Sequence, residues 1–315
     1  MSVMFMRDYE TLSEDEGDNH DEGKDKPTDP SDPTNPNEGS SKPGQRITIS
    51  DEIYKLLCEW NLEFKLFSIT LDNVSSNEAF VNILRTQLNL WNALLNKGQF
   101  LYIRCCAHIL NLIVQEGLKD MDDFVVKVRE SVIYIKGSQG RKKKFRECIE
   151  QVALSRSKGL CQDVPTRWNS TYIMLDSALY YRRAFSHLKL SDSNYKHDLD
   201  DDEWDKVEGI CKFLGVFYNV TKLFSGSKYP TANLYFPNVF LVQLTLIKAI
   251  EDRNYVARSL ATKMKPKFDK YWAYYNTILA IAVVFNPRYK THFVEFSYKC
   301  CMEKTVNRYN CFMIL

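Results

Sequence analysis

Residues 100–118, FLYIRCCAHILNLIVQEGL, change their periodicity in mid-course, and few folds accommodate that change. The first part, 100–106, is rich in aromatic and β-branched residues, as a buried strand requires. The second part, 107–116, is apolar nearly all round and meets Gly117, which predicts a buried helix with a glycine stop. Arg104, Cys105 and His108 therefore fall where a strand runs into a helix, the edge of an α/β sheet at which polar chemistry collects. A second strand is predicted over 67–71. It ends at Asp72 and also leads into a helical pattern. The two read as consecutive strands of one sheet, each presenting a polar group at the same edge.

Helical periodicity surrounds these strands. Ile53, Leu56, Leu57 and Trp60 repeat at i, i+3, i+4 and i+7, with Ser50 as the expected N-cap. Asn77 is the expected cap of a helix whose face carries Phe80, Leu84, Leu88 and Trp91, and Asn96, Lys97 and Gly98 predict a turn. The order so far is α–β–α–β–α. Beyond it every stripe is helical: Phe124, Val128 and Val132; Trp204, Cys211 and Leu214; Val239, Val242 and Leu246; Leu260, Met264 and Phe268. Such stripes predict core. The fold class expected from the pattern is an α/β layer followed by a large helical region.

Residues 1–49 read as a disordered acidic tail, with five of the ten prolines between Pro27 and Pro43. The first fifty residues hold 12 acidic and 5 basic side chains. That leaves 37 basic and 28 acidic for residues 51–315, a net of +9 hidden beneath an overall +2. A basic globular part admits a polyanionic partner, although many soluble domains carry as much charge without one. The longest uninterrupted apolar run, 278–285, is far below the roughly 20 residues that span a bilayer. No secretory leader is evident at the N-terminus, so the nine cysteines are expected as thiols. No small-molecule substrate is indicated, because there is no Walker loop, GxSxG or GxGxxG.

Four groups can carry chemistry. Asp72 at a strand end can hold a divalent metal, but one carboxylate is not a two-metal site, and Asp72 with Asn73 equally caps the following turn. Cys105 and His108 have the spacing of two zinc ligands, yet nothing completes a set of four. Arg141, Lys142, Lys143, Lys144 and Arg146 place five cations in six residues, able to neutralise phosphates, to act as a nuclear import signal, or simply to solvate a helix face. In DVPTRWNS (163–170), Arg167 offers a phosphate fork and Trp168 a stacking face. Alternatively Trp168 covers a core edge with Arg167 lying over it.

Taken jointly, ITLDNVSSNEAF (69–80), IRCCAHILNLIVQEGL (103–118) and DVPTRWNSTYIML (163–175) resemble the plant hAT-superfamily transposases. Within these the chain is most similar to the BED-zinc-finger, RICESLEEPER-like, transposase-derived group. The likeness continues through SGSKYPTANLYFP (225–237), KMKPKFDKYW (263–272) and LAIAVVFNPRY (279–289). The resemblance implies a partial RNase H-like α/β layer over 50–118, a mostly helical insertion and RNase H-like continuation over 119–298, and an irregular end over 299–315. It also implies an ancestral Mg²⁺ centre of two Asp and one Glu, with Asp72 matching the second Asp. Cys105 and His108 match a CxxH element near that centre, and Arg167 and Trp168 match an RW element that handles the DNA end. The family's first Asp, its Glu, its BED finger and its dimerisation region have no match here, and Asn286 stands where the family has Asp. The expectation is a catalytically incomplete transposase fragment, not an enzyme and with no cofactor, that binds DNA in the nucleus through Arg141, Lys142, Lys143, Lys144 and Arg146. The alternatives are a protein-interaction module that binds intact transposase-like relatives without DNA, and a decayed remnant. No membrane is expected.

Overall fold

A computed structural model describes residues 3–4, 43–73, 75–119, 123–155, 157–164, 167–272 and 276–302. The chain forms two compact units, Met1–Cys105 and Cys106–Leu315. The division falls at the strand-to-helix junction, earlier than the boundary expected after residue 118. The helix that follows, Cys106–Leu118 (α3), packs on three later helices, and that burial makes it part of the second unit.

The first unit is built on a three-stranded parallel sheet in the order β1–β2–β3: Val3–Met4, Ile69–Leu71 and Tyr102–Arg104. Ile69 pairs with Tyr102, Thr70 with Ile103 and Leu71 with Arg104. The two predicted strands are therefore neighbours in one sheet. The pairing of Val3 with Ile69 and Met4 with Thr70 corrects one expectation, since those two residues are not tail, and it leaves β2 paired on both sides. Residues 5–42 lie outside the described part. Helices Pro43–Glu59 (α1) and Ser75–Leu90 (α2) pack on each other. With the sheet they bury Leu57, Leu66, Ile69, Phe80, Leu84 and Leu88.

Three local expectations are corrected. Helix α1 begins seven residues before Ser50, so Ser50 is no cap. It lies fully buried and donates to the Gln87 side-chain oxygen at 3.0 Å. Asn77 lies inside the first turn of α2 and ties that turn back to Asp72. Trp60 and Trp91, expected on buried faces, are 59% and 65% exposed. Each stands at or just past the end of its helix, where the 3.6-residue register no longer fixes direction. The turn is as expected: Asn96, Lys97 and Gly98 all adopt positive φ.

Among its described residues the second unit has helices joined by loops and no strand. After α3 come Asp123–Lys136 (α4), Gln139–Gln151 (α5), Trp168–Tyr180 (α6), Arg182–Ser191 (α7) and Asp201–Phe224 (α8). Tyr235–Ile250 (α9), Tyr255–Trp272 (α10), Thr277–Val284 (α11) and Lys290–Met302 (α12) complete it. Helix α12 carries order into the expected irregular end, and residues 303–315 lie outside the described part. The longest helix, α8, starts at a reciprocal cap: Asp200 accepts from the Glu203 amide at 2.7 Å and the Glu203 carboxylate accepts from the Asp200 amide at 3.1 Å. It buries Trp204, Val207, Leu214 and Phe217 and packs on α3, α6, α9 and α10.

Gly117 does not stop α3 but lies within it. A Cβ there would sit 2.7 Å from Met264 Cγ on α10, so glycine is what allows the two helices to approach. The stretch Ala232–Ile250 is long and apolar enough to cross a membrane, yet half of its most apolar window is buried inside the protein. Tyr235, Phe236, Val239 and Val242 are core residues.

Candidate nucleic-acid interface

The predicted residues divide between the units. In the first, Asp72 and Cys105 directly follow the paired residues Leu71 and Arg104, so both leave the sheet at one edge. The Cys105 amide donates to the Leu71 carbonyl at 2.8 Å. Asp72 is exposed, and its carboxylate accepts the Asn77 side-chain amide. Its carbonyl oxygen accepts from Asn77 at 2.9 Å and from the Tyr102 hydroxyl at 3.2 Å. Burial pushes the Tyr102 phenol up, which keeps it protonated as that donor. Arg104 pairs with Glu78 of α2 at 2.9 Å. Asp72 thus ties a strand end to the next helix through Asn77, while Asn73, whose side-chain atoms have no hydrogen-bond partner, does not make the side-chain-to-backbone bond of the expected turn cap. Among the described residues no three His, Cys, Asp or Glu side chains are grouped as a metal ion requires. No such group forms around Asp72 among the described residues, and one carboxylate is not a two-metal centre, so no step through Mg²⁺ follows from the residues present.

The remaining residues belong to the second unit. His108 lies half-buried in the first turn of α3. Arg167 is exposed immediately before α6, whereas Trp168, its first residue, is only 3% exposed. Trp168 therefore covers core and turns no face outward for a base. The loop ahead of it is pinned from both sides. Arg129 of α4 donates to Asp163 through Nε at 3.0 Å and Nη2 at 2.8 Å, and Thr171 Oγ1 of α6 donates to the same carboxylate at 3.1 Å. Ser170 Oγ accepts from the Val164 amide at 2.8 Å. Residues 165–166 lie outside the described part. Among the described residues no carboxylate pairs with the Arg167 guanidinium, which stands at a helix N-terminus where partial positive charge also gathers.

The basic run lies on α5, capped by Ser138, whose oxygen accepts from the Arg141 amide at 3.2 Å. At about 100° per residue its five cations cannot share one face. Arg141 lies 4.0 Å over the Tyr134 ring and donates to the Tyr134 carbonyl at 3.3 Å. Lys144 approaches the buried Asp192 carboxylate at 3.5 Å. Lys143 points outward. Lys142 and Arg146, one turn apart, border a cavity of about 350 Å³. Lys142, Lys143 and Arg146 have no ion-pair partner among the described residues, and Arg141 and Lys144 are partly engaged within the protein. Lys136 and Lys158 stand at the same cavity and were not foreseen. Neither belongs to the run, and only the packing of α4 and of residues 157–164 brings them to it.

Comparison with known proteins reports on the chain as a whole. A model of the ZBED1 RNase-like domain matches residues 40–100, and the ZBED1 RNase-like helical domain matches 103–213. The model described as hAT-like transposase, RNase-H fold, matches 233–313. The chain is 41% identical over 259 residues to zinc finger BED domain-containing protein RICESLEEPER 2 of Oryza sativa subsp. japonica, covering 82% of this chain and 36% of that protein. It is 36% identical over 260 residues to a putative AC transposase of Zea mays, covering 81% and 32%. With zinc finger BED domain-containing protein DAYSLEEPER of Arabidopsis thaliana it shares 33% over 258 residues, covering 82% and 37%. The chain spans about a third of the length of these curated relatives.

Proposed function

We propose a function from one premise: this chain belongs to the hAT-like, transposase-derived proteins of the BED-zinc-finger RICESLEEPER group. It binds DNA through α5, in the nucleus, with little sequence preference, and does not itself catalyse strand transfer. The observation that carries this is the disposition of Lys142, Lys143 and Arg146. They stand on one capped helix, and no carboxylate among the described residues is paired with them. Phosphate contacts from such side chains position a duplex without reading bases. Arg167, exposed at the start of α6, adds a cation of the same kind. Within the family frame, the first unit with its parallel sheet is part of an RNase H-like layer, and the helical residues after it are the insertion and continuation. The Asn77 hydrogen bond to Asp72 supports a structural role for this acid.

Fluorescence anisotropy of the full chain with a labelled duplex, at two salt concentrations, tests the proposal. Binding that weakens steeply with salt is the expected result. A folded sample that leaves the duplex unbound at low salt overturns it. One observation favours a second reading, a protein-binding module for transposase-like relatives. Trp60, Phe64, Leu90 and Trp91 of the first unit are all more than half exposed. Co-purification with a full-length relative in the absence of DNA binding decides for that reading.

A further inference from the structure

The cavity beside α5 has a construction that a phosphate-binding helix does not need. Lys142, Phe145, Arg146 and Ile149 fall at i, i+3, i+4 and i+7, so one face of α5 forms a whole wall. Along that wall the two cations stand at the mouth and the two apolar side chains, both buried, form the floor. Ile135 at the end of α4, Leu160 and the Tyr181 ring complete the floor, and Lys136 and Lys158 complete the rim. No carboxylate lines it among the described residues.

The far wall is held in place. The Tyr181 hydroxyl donates to the Lys158 carbonyl, the Cys161 amide donates to Ser177 Oγ at 3.1 Å, and Lys158 pairs with Asp176. The edge of the Tyr181 ring meets Phe145 with centroids 5.9 Å apart. The pocket is therefore preformed, at the small end of the range for ligand sites. An apolar floor under a cationic rim matches a flat ring that carries a phosphate.

We propose that this pocket takes one nucleotide unit, its base on the floor formed by Phe145, Ile149 and Leu160, and its phosphate between Lys142 and Arg146. The assignment rests in part on the DNA-binding reading of α5, because the phosphate contacts are shared. The same chemistry has two sources: an unpaired nucleotide within a DNA strand, or a free mononucleotide. The unpaired strand nucleotide is favoured, since Lys143, exposed on the same helix next to Lys142, offers a further phosphate contact outside the pocket.

The experiment compares three probes on the full chain: a paired duplex, the same duplex with a single 2-aminopurine bulge, and free 2-aminopurine deoxyriboside monophosphate. The bulged duplex is expected to bind about 5–10-fold tighter than the paired one, with quenched 2-aminopurine emission. Leu160→Trp, which fills the floor and leaves every cation in place, removes that gain and leaves paired-duplex affinity within about twofold. Leu160→Phe, a smaller filler, takes its place should the larger ring prevent folding. Quenching of the free mononucleotide that Leu160→Trp abolishes, without a bulge gain, supports the pocket with the free ligand as its source. Equal binding of paired and bulged duplex with no mononucleotide quenching overturns the proposal, as does a gain that survives both fillers. The paired-duplex arm reports separately on α5: mononucleotide quenching without any duplex binding keeps the pocket and removes the DNA-binding reading.

Discussion

Arg129 grips Asp163 with two nitrogens, Nε at 3.0 Å and Nη2 at 2.8 Å, and the carboxylate they hold is 1% exposed. This pair joins α4 to the loop that delivers Arg167 and Trp168. Removing one partner strands a buried charge, so Arg129→Ala or Asp163→Ala is expected to cost about 3–5 kcal/mol. Replacing both together by Met and Leu should cost clearly less, because no lone charge remains. Urea unfolding of the two single variants and the double variant measures this. Single variants that unfold with the unaltered chain would contradict it.

Glycines at two helical positions should respond in opposite directions. At Gly117 an added methyl meets Met264, which has no exposed surface and so no room to retreat. Overpacking of about 1–3 kcal/mol outweighs the helix propensity gained, and Gly117→Ala is expected to lower Tm. At Gly140, exposed on α5, the nearest atom is 4.0 Å away. Gly140→Ala should stabilise by about 0.5–1 kcal/mol. Thermal unfolding of both variants checks the pair.

What could be read beforehand follows the range of the forces involved. The stripe Phe124, Val128 and Val132 was legible because periodic burial on α4 is a local property, and all three are core. The adjacency of β2 and β3 was legible because two short apolar runs end in polar residues and are linked by one helix. Ser50 misled because an N-cap and a buried helical serine share one local context, and only Gln87 distinguishes them. Gly117 misled because its partner is 147 positions away. For Trp168 both roles were open from sequence, and burial alone selects the core. Lys158 was invisible as a site residue because nothing in its local sequence announces that it shares a cavity with α5.

Glu116 of α3 lies 2.8 Å from Lys267 of α10, with Lys119 at 3.0 Å, and these ammonium groups, Lys267 first, hold its carboxyl below the usual range. A lowered carboxyl pKa adds stability above roughly pH 4.3 that is lost as pH falls through the folded-state value. Glu116→Gln is therefore expected to be less stable at pH 7 by no more than about 1 kcal/mol. Its stability should fall less steeply than that of the unaltered chain in the acid range below pH 4.3. Parallel pH profiles would refute the linkage.

Cys211 is buried in α8, and burial pushes its thiol up to about 12. At pH 8 only about one molecule in ten thousand carries the thiolate there. Alkylation mapped by mass spectrometry should modify the half-buried Cys58 and Cys161 well before Cys211, which should react only on global unfolding. Early labelling of Cys211 in folded protein would mean that the α8 core opens locally.

The most direct test of the central claim is the salt dependence of duplex binding, compared between the unaltered chain and the Lys142→Ala, Lys143→Ala, Arg146→Ala triple variant. Each phosphate contact adds about 0.9 to the slope of log affinity against log salt. The triple variant should bind more weakly and lose about 2–3 from that slope. Lys144→Ala should lose less than a third as much, because Asp192 already engages that charge. Equal slopes and affinities for the unaltered chain and the triple variant would show that α5 is not where this protein meets DNA.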